Sequence, residues 1–202
     1  MKKNYNKGFR NIVFLGLVSC FADISSEMVY PIIPLYLTAV LGATPALVGV
    51  IEGIAESVAS LLKVFSGYVS DKFQKKKALA FTGYATGVLY KLALVFAGSW
   101  VGILSARVLD RFGKGIRTAP RDVMVAESAD RASMGRAFGI HKMLDMAGSA
   151  VGILLAFILL TTMGEESYKT VFLISIIPVL IALFMFVFIE EKKEKREVAQ
   201  RE

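Results

Sequence analysis

The chain is poor in the residues on which redox and metal chemistry depend. Its single cysteine, Cys20, allows no disulfide within the chain and no thiolate cluster. Cys20 is therefore expected as a small buried residue of a helix. The single histidine, His141, has a hydrogen-bonding role as its expected limit, and metal ligands do not cluster at any recognised spacing. The chain has no nucleophile elbow and no phosphate-binding glycine loop, which removes the familiar enzyme classes. The expectation is a protein that is not an enzyme and carries no cofactor. Long polar stretches are missing too, apart from the tail EEKKEKREVAQRE.

What is present is apolar. Hydrophobic residues make up 55% of the chain and mean hydropathy is strongly positive, which places it with multi-pass membrane proteins rather than soluble domains. The formal charge of +7 would suggest nucleic acid on a soluble domain. Here the Lys and Arg residues gather between apolar runs, so nucleic acid is excluded as a partner. The rule of roughly 20 residues per membrane crossing predicts six spans: 11–37, 45–69, 78–97, one starting near Ser99, 134–161 and 169–189. The first span resembles a signal peptide only superficially, because it is too long and Asp23 and Glu27 interrupt it. Pro31 and Pro34 should break its far end, while Thr44 with Pro45 and Ser133 look like helix starts. The organisation read from this is a cytoplasmic N-terminus over 1–10, a transmembrane bundle over 11–189, and a charged tail or linker over 190–202.

Basic residues fix the expected orientation. With a cytoplasmic N-terminus, Lys2, Lys3, Lys7 and Arg10, the Lys72 to Lys77 cluster, Arg111 to Arg136 and the basic residues of the tail all lie inside, against Lys169 alone outside. Both termini are expected in the cytoplasm, in a cell inner membrane.

The stretch RVLDRFGKGIRTAPRD, from Arg107 to Asp122, sets a basic stripe along one side of a helix. Asp23, Glu27, Glu52, Glu56, Lys63, Lys91, Arg107, Asp110, Lys142 and Asp145 also fall within spans or near their ends. Each charge near the bilayer centre costs roughly 2.5–3.5 kcal/mol, so these groups must face one another or a water-filled cavity. Ser19, Asp23, Glu27 and Tyr30 share one helix face, and Glu52, Glu56 and Lys63 share another. A buried carboxylate holds a proton more tightly and can release it as access alternates, which makes Asp23, Glu27 and Glu56 the proton-coupling candidates. Tyr30, Glu52, Lys91, Arg107 and Asp145 are the substrate-binding candidates. Gly148 and Gly152, four apart, permit close helix packing.

The run Gly67-Tyr-Val-Ser-Asp71-Lys72-Phe-Gln74-Lys75-Lys-Lys resembles the loop signature of the major facilitator superfamily, with Gln74 at a position the family gives to glycine. Arg107 with Gly113 and Gly115 looks like that family's fourth-helix motif, with Asp110 and Arg111 in place of the usual Gln and Gly. The run DRFGKGIRTAPRD, followed by Glu127 and Ser128, is similar to a bacterial subgroup described as efflux transporters. No proline lies between Gly148 and Gly152, so the fifth-helix antiporter motif is unmatched.

The resemblance implies an all-α membrane protein whose six helices form one half of a major facilitator fold, with a 3+3 inverted repeat. Glu52 with Glu56, recurring at constant spacing as His141 with Asp145, is a faint trace of that repeat. It implies a gating motif made of Gly67, Asp71, Lys72, Lys75, Asp110, Arg111 and Lys114. The implied activity is proton-coupled efflux of a small solute. A second six-helix half is the expected partner, as a homodimer or a separate C-terminal half, beside membrane lipid and the proton. Two other readings stay open: a uniporter or organic-anion carrier using Arg107 and Lys91, and a non-transporting subunit or truncated half.

Overall fold

The computed structural model describes residues 2–73, 75–164 and 167–191, without the side chains of 2–6, 66, 67 and 69–73. Among the described residues the regular structure is helical throughout. Helix α1 covers Lys2–Glu27, α2 Ile32–Leu35 with a π-helical turn at Tyr36–Val40, and α3 Pro45–Phe73. Then follow α4 (Lys76–Phe96), α5 (Trp100–Ser128), α6 (Met134–Met163), α7 (Tyr168–Ile174) and α8 (Ile176–Phe186).

The breaks have local causes. Helix α1 ends at Glu27, the residue whose carbonyl would have accepted the amide that Pro31 lacks, and the apolar segment continues through α2. Pro178 does the same to Ile174, where α7 gives way to α8 around Ser175. The Ser25 hydroxyl donates to the Ser175 carbonyl there, at 2.5 Å. Thr44 and Ser99 cap α3 and α5, accepting from the amides of Leu47 and Gly102 at 3.3 Å. Ser133 stands at the start of α6 but does not cap it. Its hydroxyl bonds back to the Asp130 carbonyl within the short turn Arg131–Ser133.

Four helical stretches among the described residues are long and apolar enough to cross a membrane: Lys7–Val40, Lys76–Phe96, Arg131–Met163 and Tyr168–Phe186. Helices α3 and α5 reach 29 residues each and are not among these four.

Helix α1 packs on α6 and α8, α5 packs on α3 and α4, and α4 also meets α7 and α8. On α6 the buried positions Ala137, His141, Asp145, Gly148, Gly152 and Ala156 recur every three or four residues and face α1. A Cβ at Gly148 would run into the Cys20 carbonyl, and one at Gly152 into that of Ile24, so the two backbones nearly touch. Cys20 is half-buried at that crossing rather than enclosed, because it packs against the core from its rim.

The apolar core falls into two clusters. One gathers Met28, Ile33, Tyr36, Leu94, Ile103 and Phe172, and the other Ile12, Leu15, Tyr84, Met124, Val125 and Phe186. Charged groups occupy the level between them. Outward-facing Leu61, Val64, Phe65, Phe96, Phe157 and Phe184 are exposed, as a surface solvated by lipid requires. Near the first residues of α1, Asn11 exchanges two hydrogen bonds with the backbone of Glu190, and Lys77 donates to the carbonyls of Val187 and Ile189. The expected tail is thus anchored through Glu190 and Glu191, and residues 192–202 lie outside the described residues.

Candidate functional site

The basic stripe of α5 is real, and each of its members has an assigned neighbour. Arg107, 1% exposed, grips Glu52 of α3 with two nitrogens, Nε donating to Oε1 at 2.8 Å and Nη2 to Oε2. Four residues on along both helices, Arg111 Nε lies 3.2 Å from Glu56 Oε2. Both guanidiniums lie over the Tyr30 ring, at 4.9 and 5.6 Å from its centre. Asp110 is buried among Arg107, Arg111 and Lys114, all within 4 Å. Further along, α5 turns its stripe to α1. Arg117 stands 3.8 Å from Asp23 Oδ1 and over the Tyr84 ring, and Arg121 reaches Ser19 at 3.4 Å and its own neighbour Asp122 at 2.9 Å. One helix therefore ties both others through alternate ends of a single stripe.

On the opposite wall, Lys142 holds Asp145 Oδ2 at 2.7 Å. One turn back, His141 Nε2 and the Tyr84 hydroxyl each sit 3.0 Å from Ser19 Oγ. His141 is hydrogen-bonded as expected.

Of the proton-coupling candidates, Asp23 is largely buried in this layer, Glu27 is half-buried beside Gly152, and Glu56 is exposed and ion-paired. Of the substrate-binding candidates, Glu52, Arg107 and Tyr30 are gathered in one cluster, while Asp145 lies across the layer. Lys91 is buried to 1% exposure and forms no ion pair among the described residues, and the neighbouring Tyr90 hydroxyl has no hydrogen-bond partner. Asp110, Arg111 and Lys114 of the gating motif are clustered. Lys75 is exposed just before α4, and the side chains of Asp71 and Lys72, with Gly67, lie outside the described residues. Gln74 lies outside them as well.

Sequence reasoning missed Tyr84, Tyr90 and the buried pair of Lys76 with Glu127. Tyr84 and Lys91 flank Gly87 at helical spacing on the buried face of α4, which was the available signal. An open depression of about 790 Å3 lined by Arg10, Phe14, Lys77 and Phe188 lies at the end near Asn11, away from this charged layer.

A bundle of long helices with an apolar outer surface and a layer of charged groups, Arg107, Asp110 and Lys91 among them fully buried, defines an α-helical multi-pass membrane protein. Residues 15–202 match the Major Facilitator Superfamily model, and the chain belongs to that family. It is 36% identical, over 91% of its length and 45% of the relative's, to an uncharacterised MFS-type transporter of Methanocaldococcus jannaschii. A probable 4-methylmuconolactone transporter of Cupriavidus pinatubonensis is 30% identical over 74% of this chain and 35% of its own. A multidrug resistance protein of Photorhabdus laumondii is 29% identical over 63% and 32%. A crystal structure of a peptide transporter in complex with sulfate superposes with a TM-score of 0.71, at 18% identity, over 90% of this chain and 37% of its own. That likeness carries the fold alone. The chain spans less than half the length of the relatives it matches. The family is one of transporters, not enzymes.

Proposed function

We propose that the chain forms one six-helix half of a secondary transporter, moving a small solute across the cell inner membrane in exchange for protons. In this reading α1 with α2, α3, α4, α5, α6 and α7 with α8 are six spans, residues 1–10 and 190–202 face the cytoplasm, and the bundle is a 3+3 inverted repeat. The packing supports the repeat. Exchanging the first three spans with the last three turns the α1–α6 contact into α5–α3, and α1–α8 into α5–α4, and all four contacts are present. The partners read from the same exchange agree in part: Glu52 meets Arg107 of α5, and its counterpart His141 meets Ser19 of α1.

The observation that carries proton coupling is Asp23. It stands midway along the Lys7–Val40 span, facing a guanidinium 3.8 Å away, too far for a hydrogen bond and close enough to become one. Glu56 is held by Arg111, and Glu27 has no ion pair among the described residues, so Glu27 is the reserve candidate. The relative named for multidrug resistance supports export as the direction. The test uses inverted vesicles carrying an acid interior, with a pH-sensitive dye and a panel of small organic solutes. A transported solute should dissipate the gradient, and Asp23→Asn should abolish that response. An unchanged response in the amide variants of Asp23, Glu27 and Glu56 alike would overturn proton coupling.

A second reading, an organic-anion carrier, draws on Lys91, whose buried ammonium has no ion pair among the described residues, with the unpartnered Tyr90 hydroxyl beside it. Arg107 fits that role poorly, since Glu52 and Asp110 already occupy its guanidinium. Uptake of an organic anion without a pH gradient, lost in Lys91→Met, would select it.

A further inference from the structure

The depression near Asn11 lies where α1, the first turn of α4 and the stretch after α8 meet. The chain ties these three together around it. The Lys77 ammonium donates to the carbonyls of Val187 and Ile189, and the Lys77 amide donates to Glu191 Oε1 at 3.1 Å. Arg10 Nη2 donates to Glu190 Oε1 at 2.7 Å, and both side chains stay 56% exposed. Phe14 and Phe188 stack with their ring centres 5.7 Å apart and form the apolar side.

The lining carries both signs in equal number, Arg10 and Lys77 against Glu190 and Glu191. All four keep hydrogen-bonding capacity. Among the described residues Arg10 engages one nitrogen of its guanidinium, and Glu190 and Glu191 engage one side-chain oxygen each. The depression also opens outward, onto the surface that lipid would cover. Val187 and Phe188 are exposed there and continue the exposed stripe of Ile177, Leu180, Ile181 and Phe184 along α8. From Ile177 to Val187 that stripe runs about 15 Å at the helical rise, which is the depth of one leaflet of a bilayer core about 30 Å thick.

A purely anionic headgroup would meet as many carboxylates as cations. A headgroup that carries a phosphate and, one ethyl unit away, a primary ammonium matches both signs. Its phosphate accepts from Arg10 and Lys77, while its ammonium donates to the remaining oxygens of Glu190 and Glu191. A quaternary ammonium has no N–H to donate and leaves those oxygens unanswered.

We propose that this depression binds phosphatidylethanolamine from the adjoining leaflet, with the headgroup between Lys77 and the Arg10–Glu190 pair and an acyl chain along the α8 stripe. The bound lipid bridges α1, α4 and the end of α8. The site stands apart from the charged layer and needs neither solute nor proton, so it holds or fails independently of transport.

Native mass spectrometry of the purified full chain reads the retention of each added lipid. The probes are phosphatidylethanolamine, its mono- and dimethylated forms, phosphatidylcholine and phosphatidylglycerol, all with identical acyl chains. Phosphatidylethanolamine should be held about tenfold or more tightly than phosphatidylcholine, with the methylated forms falling between as N–H donors are removed. That series uses wild-type protein, so no variant has to fold. Glu190→Gln combined with Glu191→Gln should erase the preference for the primary amine. Arg10→Gln should weaken phosphatidylethanolamine and phosphatidylcholine alike, since both offer the same phosphate.

Equal retention of phosphatidylethanolamine and phosphatidylcholine would mean annular lipid only and overturns the site. Tightest retention of phosphatidylglycerol overturns it too, in favour of plain attraction between anionic lipid and basic residues. A preference for phosphatidylethanolamine that survives both the double glutamine variant and Arg10→Gln puts the lipid elsewhere on the bundle and overturns the assignment to this depression.

Discussion

Arg107 holds two carboxylates at once, Glu52 through two nitrogens and Asp110 through a third. Arg107→Ala should therefore lower stability by about 3 kcal/mol, the low end for a broken buried pair because Glu52 keeps some exposure. A fall in the thermal midpoint of the purified protein in detergent measures it. Glu52→Gln combined with Arg107→Gln should recover part of the loss, since no carboxylate of α3 is then stranded at that level. Arg107 was legible in the sequence because basic residues three or four apart inside an apolar run admit few explanations. Its choice of Glu52 was not, since nothing local says which of several carboxylates lies across the helix interface. Tyr84 stayed hidden for the same reason: its hydroxyl matters through Ser19 of α1, far away in sequence.

Helix α6 is smooth on one side by construction. Gly148→Val would drive a side chain into the Cys20 carbonyl and should cost about 1–3 kcal/mol, the usual penalty of overpacking. Gly135→Val, where nothing lies within 4 Å of the added carbon, is the matched control. Comparing how fast the two variants lose their monodisperse peak on heating would check the difference. Element positions were readable from hydropathy and proline. Pro31 ended α1 as expected, and the expected starts at Pro45 and Ser99 agree within a residue with α3 and α5. The cap at Ser133 failed because a short turn before α6 claims its hydroxyl, a competition that a Ser at a helix start does not reveal. The π-helical turn at Tyr36–Val40 had no sequence signal beyond the prolines before it.

For the molecule as a whole, the proposed topology gives a direct labelling experiment. With Cys20→Ser as background, cysteines replacing Ala43 and Gly98 should react with an impermeant thiol reagent from outside the cell. Cysteines replacing Lys75 and Asp130 should react only after the membrane is opened. The reverse pattern would invert the orientation drawn from the positive-inside bias. The second half is tested by Asp71→Cys with Gly135→Cys: a crosslink between differently tagged copies supports a homodimer, and its absence with a monomer in lipid supports a different partner half.

The pairing of α3 with α5 also bears on how the protein is made. At the Arg107 to Arg111 level the charges of each helix are answered by the other, Glu52 by Arg107 and Glu56 by Arg111. Helix α3 leaves the ribosome first, with Glu52 and Glu56 unanswered until Arg107 and Arg111 emerge 55 residues later. In the proposed six-span arrangement α3 is expected to wait, sheltered at the insertion channel or by its own neighbours, until α5 arrives, and the two to enter the bilayer as a couple rather than one at a time.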